Sequence, residues 1–106
     1  MMANAARDPY YLASVSAEIA KNPSLKGVIE DKCAAWQAPM ARFTDTAAGR
    51  KAVLFGESGY LTPGHRYRGL AFDGVSCTVC HQIMPGNFGQ VDSFSGGMLL
   101  DTKTPL

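Results

Sequence analysis

Several features that define common protein classes are missing from this chain. Its 106 residues include no run close to the roughly eighteen apolar residues that a membrane-spanning helix needs. Ten Lys and Arg residues nearly balance nine Asp and Glu residues, with no basic block and no acidic tail, which argues against nucleic-acid binding. The residues from Met1 to Pro9 lack the apolar stretch of a secretory signal. Three cysteines are an odd number and do not indicate a disulfide framework.

The length predicts one domain over residues 1–106, or a module of a larger protein. Asp8 and Pro9 have the residue types of a helix N-cap and first helical position. Tyr11, Val15 and Ile19 then follow at helical spacing, which predicts a first helix with this face turned to the core.

A second helix is predicted after Asn22 and Pro23, and Pro39 is expected to end it. Its apolar positions recur at intervals of three and four residues, as expected for the face of a helix that packs on a core. They are Leu25, Val28, Ile29, Cys33 and Trp36.

Beyond Pro39 the helical signals are weaker. A third helix is predicted over residues 46–55, although Gly49 interrupts it. Residues 56–64 have the composition of a loop, and residues 69–72 that of a short helical turn. After Pro85 the chain is rich in Gly and Ser, with residues 98–100 as the one strand-like remnant. The sequence therefore predicts a mainly α fold with little β structure.

Cys77-Thr78-Val79-Cys80-His81 is a C-x-x-C-H sequence, the pattern of covalent haem attachment. Two cysteines three residues apart reach two vinyl groups of a porphyrin and form thioethers. The adjacent His81 is then held beneath the iron as its proximal ligand. The pattern predicts one haem c per chain, bound by Cys77, Cys80 and His81.

Two other uses of this pattern are weaker. A zinc site would need a fourth ligand, for which the chain offers only His65 and Cys33. A thioredoxin-like C-x-x-C motif lies between a strand and a helix in an α/β fold, whereas Gly74 closely precedes Cys77 and no βαβ pattern surrounds it.

The segment Gly74–Ile83 (GVSCTVCHQI), followed by Ser93–Gly97 (SFSGG), resembles the N-terminal part of bacterial multihaem c-type cytochromes. Arg7–Tyr10 and Ile29–Cys33 also resemble that family, so the likeness spans most of the chain. It implies a small cytochrome domain whose short helices and long loops wrap around a covalent haem.

The chain departs from that family at Cys33. Where the family pattern would have a second Cys and a His, this sequence has Trp36 and Gln37. The resemblance therefore implies a lost first haem site, with Trp36 filling part of the freed volume and Cys33 left as a buried free thiol. A single thioether from Cys33 to a haem is the weaker alternative.

The sixth iron ligand has several candidates. His65, in a turn twelve residues before Cys77, is favoured, and a bis-His iron has the low potential that the resemblance implies. Met40 and Met98 are alternatives, as are an exposed loop position for His65 and a ligand from another subunit. Met84 follows His81 too closely to reach the far side of the ring. Arg66 and Arg68 could pair with the haem propionates, or serve only solubility.

These features predict an electron carrier rather than an enzyme, with a redox partner, neighbouring cytochrome subunits or stacked haems in a homo-oligomer. A haem enzyme or gas sensor with five-coordinate iron, or a structural module of a multihaem complex, are the alternatives. Thioethers of this kind are formed outside the cytoplasm, so a periplasmic or extracellular location is expected.

Overall fold

The computed structural model describes residues 2–104, and this part of the chain is mainly helical, as the sequence predicts. The α-helices are α1 (Pro9–Lys21), α2 (Lys26–Gln37), α3 (Pro39–Ala47), α4 (Arg68–Phe72), α5 (Cys77–His81) and α6 (Val91–Phe94). Short 3-10 helices cover Met2–Arg7, Pro23–Leu25 and Pro85–Asn87. Within residues 2–104, none of these helices has the length and apolar character needed to cross a membrane.

Helix α1 begins where the sequence indicates. The Asp8 side chain accepts hydrogen bonds from the backbone N–H groups of Tyr10, at 2.8 Å, and Tyr11, at 3.4 Å. This satisfies donors that the first turn of a helix would otherwise leave free. Val15 is buried, and Tyr11 and Ile19 pack against the core beside it. The predicted inward face of α1 is confirmed.

The predicted inward face of α2 is largely wrong. Val28 is 53% exposed and Trp36 is 46% exposed, and Leu25 lies in the preceding 3-10 helix and is also half exposed. Ile29 and Cys33 do pack against the core, although neither is fully buried. The most buried side chains of α2 are those of Glu30, Ala34 and Ala35.

Carboxylates explain the orientation of α2. Glu30 Oε1 accepts a hydrogen bond from the Phe55 N–H at 3.0 Å, and Asp31 Oδ1 accepts one from the Ala52 N–H, also at 3.0 Å. Buried backbone donors need partners, and here α2 supplies them. The acidic pair therefore faces the extended chain, and the large apolar residues that the pattern had assigned to the core turn outward.

The third helix lies earlier than the sequence predicts. Pro39 does follow the end of α2, but it also occupies the first turn of α3, where proline is well tolerated. The helix ends at Ala47, and Gly49 adopts a φ of 72°, a left-handed conformation that suits glycine after a helix. Residues 50–55 are not helical, and the N–H groups of Ala52 and Phe55 bond to α2 instead. The prediction of a helix over residues 46–55 is therefore wrong.

The core is built mainly from small side chains. Helices α2, α3 and α4 contribute alanines to it, and α1 contributes Val15. Among residues 2–104, the large apolar side chains that are almost completely buried are those of Leu54 and Tyr60. The buried alanines are Ala6, Ala34, Ala35, Ala38, Ala41, Ala52 and Ala71. Such a core holds the helices close together but buries little apolar area per residue.

Residues 56–64 form turns, as expected.

The C-terminal segment has almost no regular pairing. Among the described residues, Ile83 and Leu100 form an isolated antiparallel bridge, and the Met84 N–H donates to the Leu99 carbonyl at 2.8 Å. Gly96, with a φ of 80°, packs so closely on α2 that a Cβ would lie 2.8 Å from the Cβ of Ala35. The strand-like remnant predicted at residues 98–100 is reduced to this bridge.

Candidate functional site

Helix α5 consists of the C-x-x-C-H motif itself. Cys80 and His81 follow Cys77 by three and four residues, so the three side chains share one face of the helix. All three are exposed, whereas Val79 is only 5% exposed and faces the interior. The short helix therefore presents two thiols and an imidazole outward and is anchored through its opposite side.

The backbone before α5 is held by the N-terminal 3-10 helix. Gly74 has a φ of 64°, and a Cβ there would overlap the carbonyl oxygen of Met2. The Val75 N–H donates to that same carbonyl at 3.0 Å. The Ser76 hydroxyl points away from the helix end and donates to the sulfur of Met40 at 3.0 Å. These contacts fix the start of the motif helix to the body of the chain.

The backbone after α5 is held by the C-terminal segment. The Asp101 N–H donates to the Gln82 carbonyl at 2.8 Å, just past His81. Here His81 lines a surface cavity of about 230 Å³ together with Ile83 and Met84. Both ends of the motif helix are thus attached to other parts of the fold, while its outward face stays open.

His65 lies in an aromatic cluster before α4. Its Nδ1 accepts a hydrogen bond from the Tyr67 N–H at 3.1 Å, and its ring meets those of Tyr60 and Tyr67 edge-on at 5.3 and 5.9 Å. A neutral imidazole whose Nδ1 accepts a hydrogen bond carries its proton on Nε2. In this arrangement neither ring nitrogen of a neutral His65 has a free lone pair for a metal.

The three methionines considered as ligands lie in different places. Met40 contacts Ser76 through its sulfur and lines a cavity of about 150 Å³ with Val79, on the inward side of α5. Met98 lines another cavity of about 230 Å³ with Ile83 and Trp36. Met84 lines the same cavity as His81. Within residues 2–104, no three or more His, Cys, Asp or Glu side chains are grouped to hold a metal ion.

Arg66 and Arg68 both contact aromatic rings near His65. The Arg66 guanidinium lies 4.6 Å from the Tyr67 ring centre, and the Arg68 guanidinium lies 4.2 Å from that of Phe72. Arg66 is largely exposed, with its Nη2 atom 3.9 Å from Asp45 Oδ1. Both guanidinium groups thus make cation–π contacts with neighbouring rings.

Cys33 is a free, half-buried thiol on the side of α2 that packs against α1. Burial raises the pKa of its thiol, and the nearby Glu18 carboxylate raises this pKa further. Both effects keep the sulfur protonated near neutral pH, and the protonated form is a poor nucleophile. The expectation of a buried free thiol is thus met in part, because the side chain is only half covered.

Trp36 is placed differently from the core-filling role expected of it. Its half-exposed indole is a wall of two open clefts of about 770 and 600 Å³, both of which also include Tyr11 and Gln37. The larger cleft extends to Val75, two residues before the motif. Sequence periodicity could not reveal this arrangement, because it assigned Trp36 to the inward face of α2.

The donor set of α5 suits covalent haem attachment. Two exposed thiols and an exposed imidazole on one helical face are the side chains that covalent haem attachment requires. A comparison of the chain with protein-family models, curated proteins and solved structures gave no match.

Proposed function

We propose that this chain is an electron-transfer protein of the c-type cytochrome kind, with one haem held by Cys77, Cys80 and His81. The observation that carries the proposal is the open face of α5, on which all three side chains are exposed while Val79 anchors the helix. When bound, the haem supplies the redox-active iron. The resemblance to multihaem cytochromes adds support from the sequence.

Each motif residue has a distinct part in this proposal. The Cys77 and Cys80 thiols each add their S–H across one vinyl group, so no atom is lost and both sulfurs become thioethers. The His81 imidazole is the proximal ligand. Because α5 is fixed at Gly74 and at Gln82, these three groups keep their spacing before the haem arrives. A ligand set that is already in place needs little reorganisation when the cofactor binds.

His65 remains the proposed sixth ligand, with one structural condition. Its Nε2 becomes available for iron only when the Tyr67 N–H bond to Nδ1 breaks and the ring takes the other tautomer. Arg66 and Arg68, which follow His65 in the chain, are the proposed partners of the haem propionates.

A five-coordinate haem protein, an enzyme or a gas sensor, is the second candidate. The observation that favours it is that Tyr67 already occupies His65 Nδ1 and that the Met40 sulfur lies behind α5. With no ligand opposite His81, the iron would be open to small molecules. A further candidate is a structural module of a multihaem complex, which would use the same motif to add one haem to a longer series of haems.

The proposal extends to partners and location. Electrons would pass to a redox partner protein, to neighbouring cytochrome subunits or to a second copy with stacked haems. Because the thioethers are made outside the cytoplasm, we place the mature chain in the periplasm or outside the cell.

Visible spectroscopy of the haem-loaded chain tests this proposal against the alternative. Six-coordinate, low-spin iron predicts sharp, split α and β bands after reduction. A broad high-spin spectrum that shifts with carbon monoxide would favour the five-coordinate candidate. His65→Ala then tests the sixth ligand: conversion to the high-spin spectrum supports His65, and an unchanged spectrum excludes it. Tyr10→Ala, an exposed substitution on α1, is the matched control.

A further inference from the structure

Among the described residues, two surface cavities that flank the motif helix share one wall. The cleft of about 770 Å³ includes Val75, two residues before Cys77. A cavity of about 230 Å³ includes Ile83, two residues after His81. Trp36 lines both of them. The chain on each side of α5, at Val75 and at Ile83, therefore lines a cavity that also includes the indole ring of Trp36.

The surface beside Trp36 is apolar and uncovered. Phe88, Phe94, Met98 and Ile83 complete the second cavity, and the rings of Phe88 and Phe94 are each more than half exposed. Large apolar side chains left in water at one place commonly mark a surface that something else covers. Directly after a haem-attachment helix, the nearest large apolar body is the porphyrin itself.

The indole of Trp36 is held in place from behind. Helix α2 carries it, and Gly96 packs against this part of α2, so that a Cβ on Gly96 would lie 3.7 Å from Trp36 Nε1. Lys32 and Arg42 donate hydrogen bonds to the carbonyls of Ser95 and Gly96, at 3.2 and 3.3 Å. These contacts place the Gly96 segment against one side of the indole.

We infer that the porphyrin attached to α5 lies against Trp36, which closes one side of the haem site together with the apolar cavity of Ile83, Phe88, Phe94 and Met98. This inference rests on the proposed function, because it requires a haem on Cys77, Cys80 and His81. It assigns a positioning role to Trp36, which excludes water from the porphyrin and touches it without binding the iron. It also gives a reason for the exposed position of the chain's single tryptophan.

Proton NMR of the haem-loaded chain tests the contact directly. The measurement uses the diamagnetic ferrous state, reached by reduction alone if the iron is six-coordinate and with added carbon monoxide if it is five-coordinate. We expect nuclear Overhauser cross-peaks between the indole protons of Trp36 and the methyl or meso protons of the porphyrin. A complete assignment without such cross-peaks would overturn the inference.

Trp36→Ala gives a second, independent readout. Removal of the wall admits water, which stabilises the more highly charged ferric state, so the reduction potential should fall and the Soret circular dichroism should change. Trp36→Phe, which keeps a flat ring, should restore most of both signals. Val28→Ala is the matched control, because Val28 lies on the same helix and is exposed to a similar extent. Val28 lines none of the cavities that include Val75, His81 or Ile83.

The outcomes separate the two proposals. Equal effects of Trp36→Ala and Val28→Ala on the potential and the dichroism would overturn the inference while leaving the haem on α5. A chain that acquires no covalent haem would overturn the proposed function first, and the inference with it. If Trp36→Ala fails to fold, the cross-peaks of the unaltered chain and the Trp36→Phe variant still decide the question.

Discussion

Asp45 accepts hydrogen bonds from two sides in the interior of the described chain. The Tyr60 hydroxyl donates to Oδ2 at 2.6 Å, and the Arg50 Nε donates to Oδ1 at 2.7 Å. Tyr60→Phe would leave a buried carboxylate oxygen without its donor. We expect the free energy of unfolding, measured by urea denaturation, to fall by about 1–3 kcal/mol.

The control for this substitution is Tyr10→Phe. Tyr10 is 82% exposed, so loss of its hydroxyl should change the free energy of unfolding by no more than about 0.5 kcal/mol. If the two Tyr→Phe variants lost the same stability, the Asp45 network would not be a stabilising feature of the fold.

Asp31 makes stability depend on pH. Burial alone would raise the pKa of this carboxyl, but the Ala52 N–H and the Arg42 guanidinium outweigh it, and the net pKa is lowered. A carboxyl with a lowered pKa in the folded state stabilises the fold above its unfolded pKa, and this contribution is lost as the pH falls through the folded value.

Asp31→Asn should therefore lower the free energy of unfolding at pH 7 and have a smaller effect at pH 3, because pH 3 lies below the pKa of about 3.9 of an unfolded Asp and part of the contribution is already lost there. Urea denaturation at both pH values measures this difference. Asp73→Asn, at an exposed carboxyl, is the control. If Asp31→Asn lost the same free energy of unfolding at both pH values, the assignment of the pH dependence to Asp31 would be contradicted.

The motif helix depends on a glycine in the short connection between α4 and α5. Gly74 has a positive φ and no room for a Cβ beside Met2, so Gly74→Ala should detach the N-terminal 3-10 helix from the start of α5. We expect a loss of more than about 1 kcal/mol in urea denaturation. Gly69→Ala in α4 is the matched control, because a Cβ there meets no atom within 4 Å and helical alanine is favourable.

Helix α1 could be located from the sequence because its signals are local. Asp8 and Pro9 form the cap and the first turn within a few residues, and the apolar spacing that follows is realised in the fold. The face of α2 could not be predicted, because it is set by hydrogen bonds that Glu30 and Asp31 accept from a segment more than twenty residues away. The same contacts engage the N–H groups of Ala52 and Phe55, in a segment that is not helical.

The candidate site shows the same division between local and distant information. The C-x-x-C-H spacing alone specifies which three side chains share one face of α5. Its outward orientation depends on Val79 packing inward, and the position of Trp36 beside it depends on the fold of α2 against the Gly96 segment. His65 was chosen as a ligand from its distance along the chain, which carries no information about its hydrogen bond from Tyr67.

For the molecule as a whole, the alanine-rich core leads us to expect that the proposed haem would add to stability. A chain of this length buries a modest fraction of its surface, and a porphyrin against Trp36 and Phe94 would add a large apolar contact. We expect the haem-free chain, produced in the cytoplasm from the same sequence, to unfold at least about 4 °C below the haem-loaded chain, as each kcal/mol shifts the midpoint by about 4–8 °C at this size.

Thermal unfolding followed by far-UV circular dichroism measures that difference. Because the two samples have the same sequence, no substitution complicates the comparison. Identical midpoints would show that the haem adds nothing to the fold, and the apolar surface around Trp36 would then need another explanation.

Intact-mass spectrometry of the denatured chain, after production in a periplasm with haem-attachment machinery, tests the central claim most directly. The account predicts the mass of the chain plus one haem, retained in Cys33→Ser and lost in the double variant Cys77→Ser/Cys80→Ser. The mass of the unmodified chain would contradict covalent attachment at α5. A mass with two haems, or loss of the haem in Cys33→Ser, would contradict the assignment of the site to Cys77, Cys80 and His81.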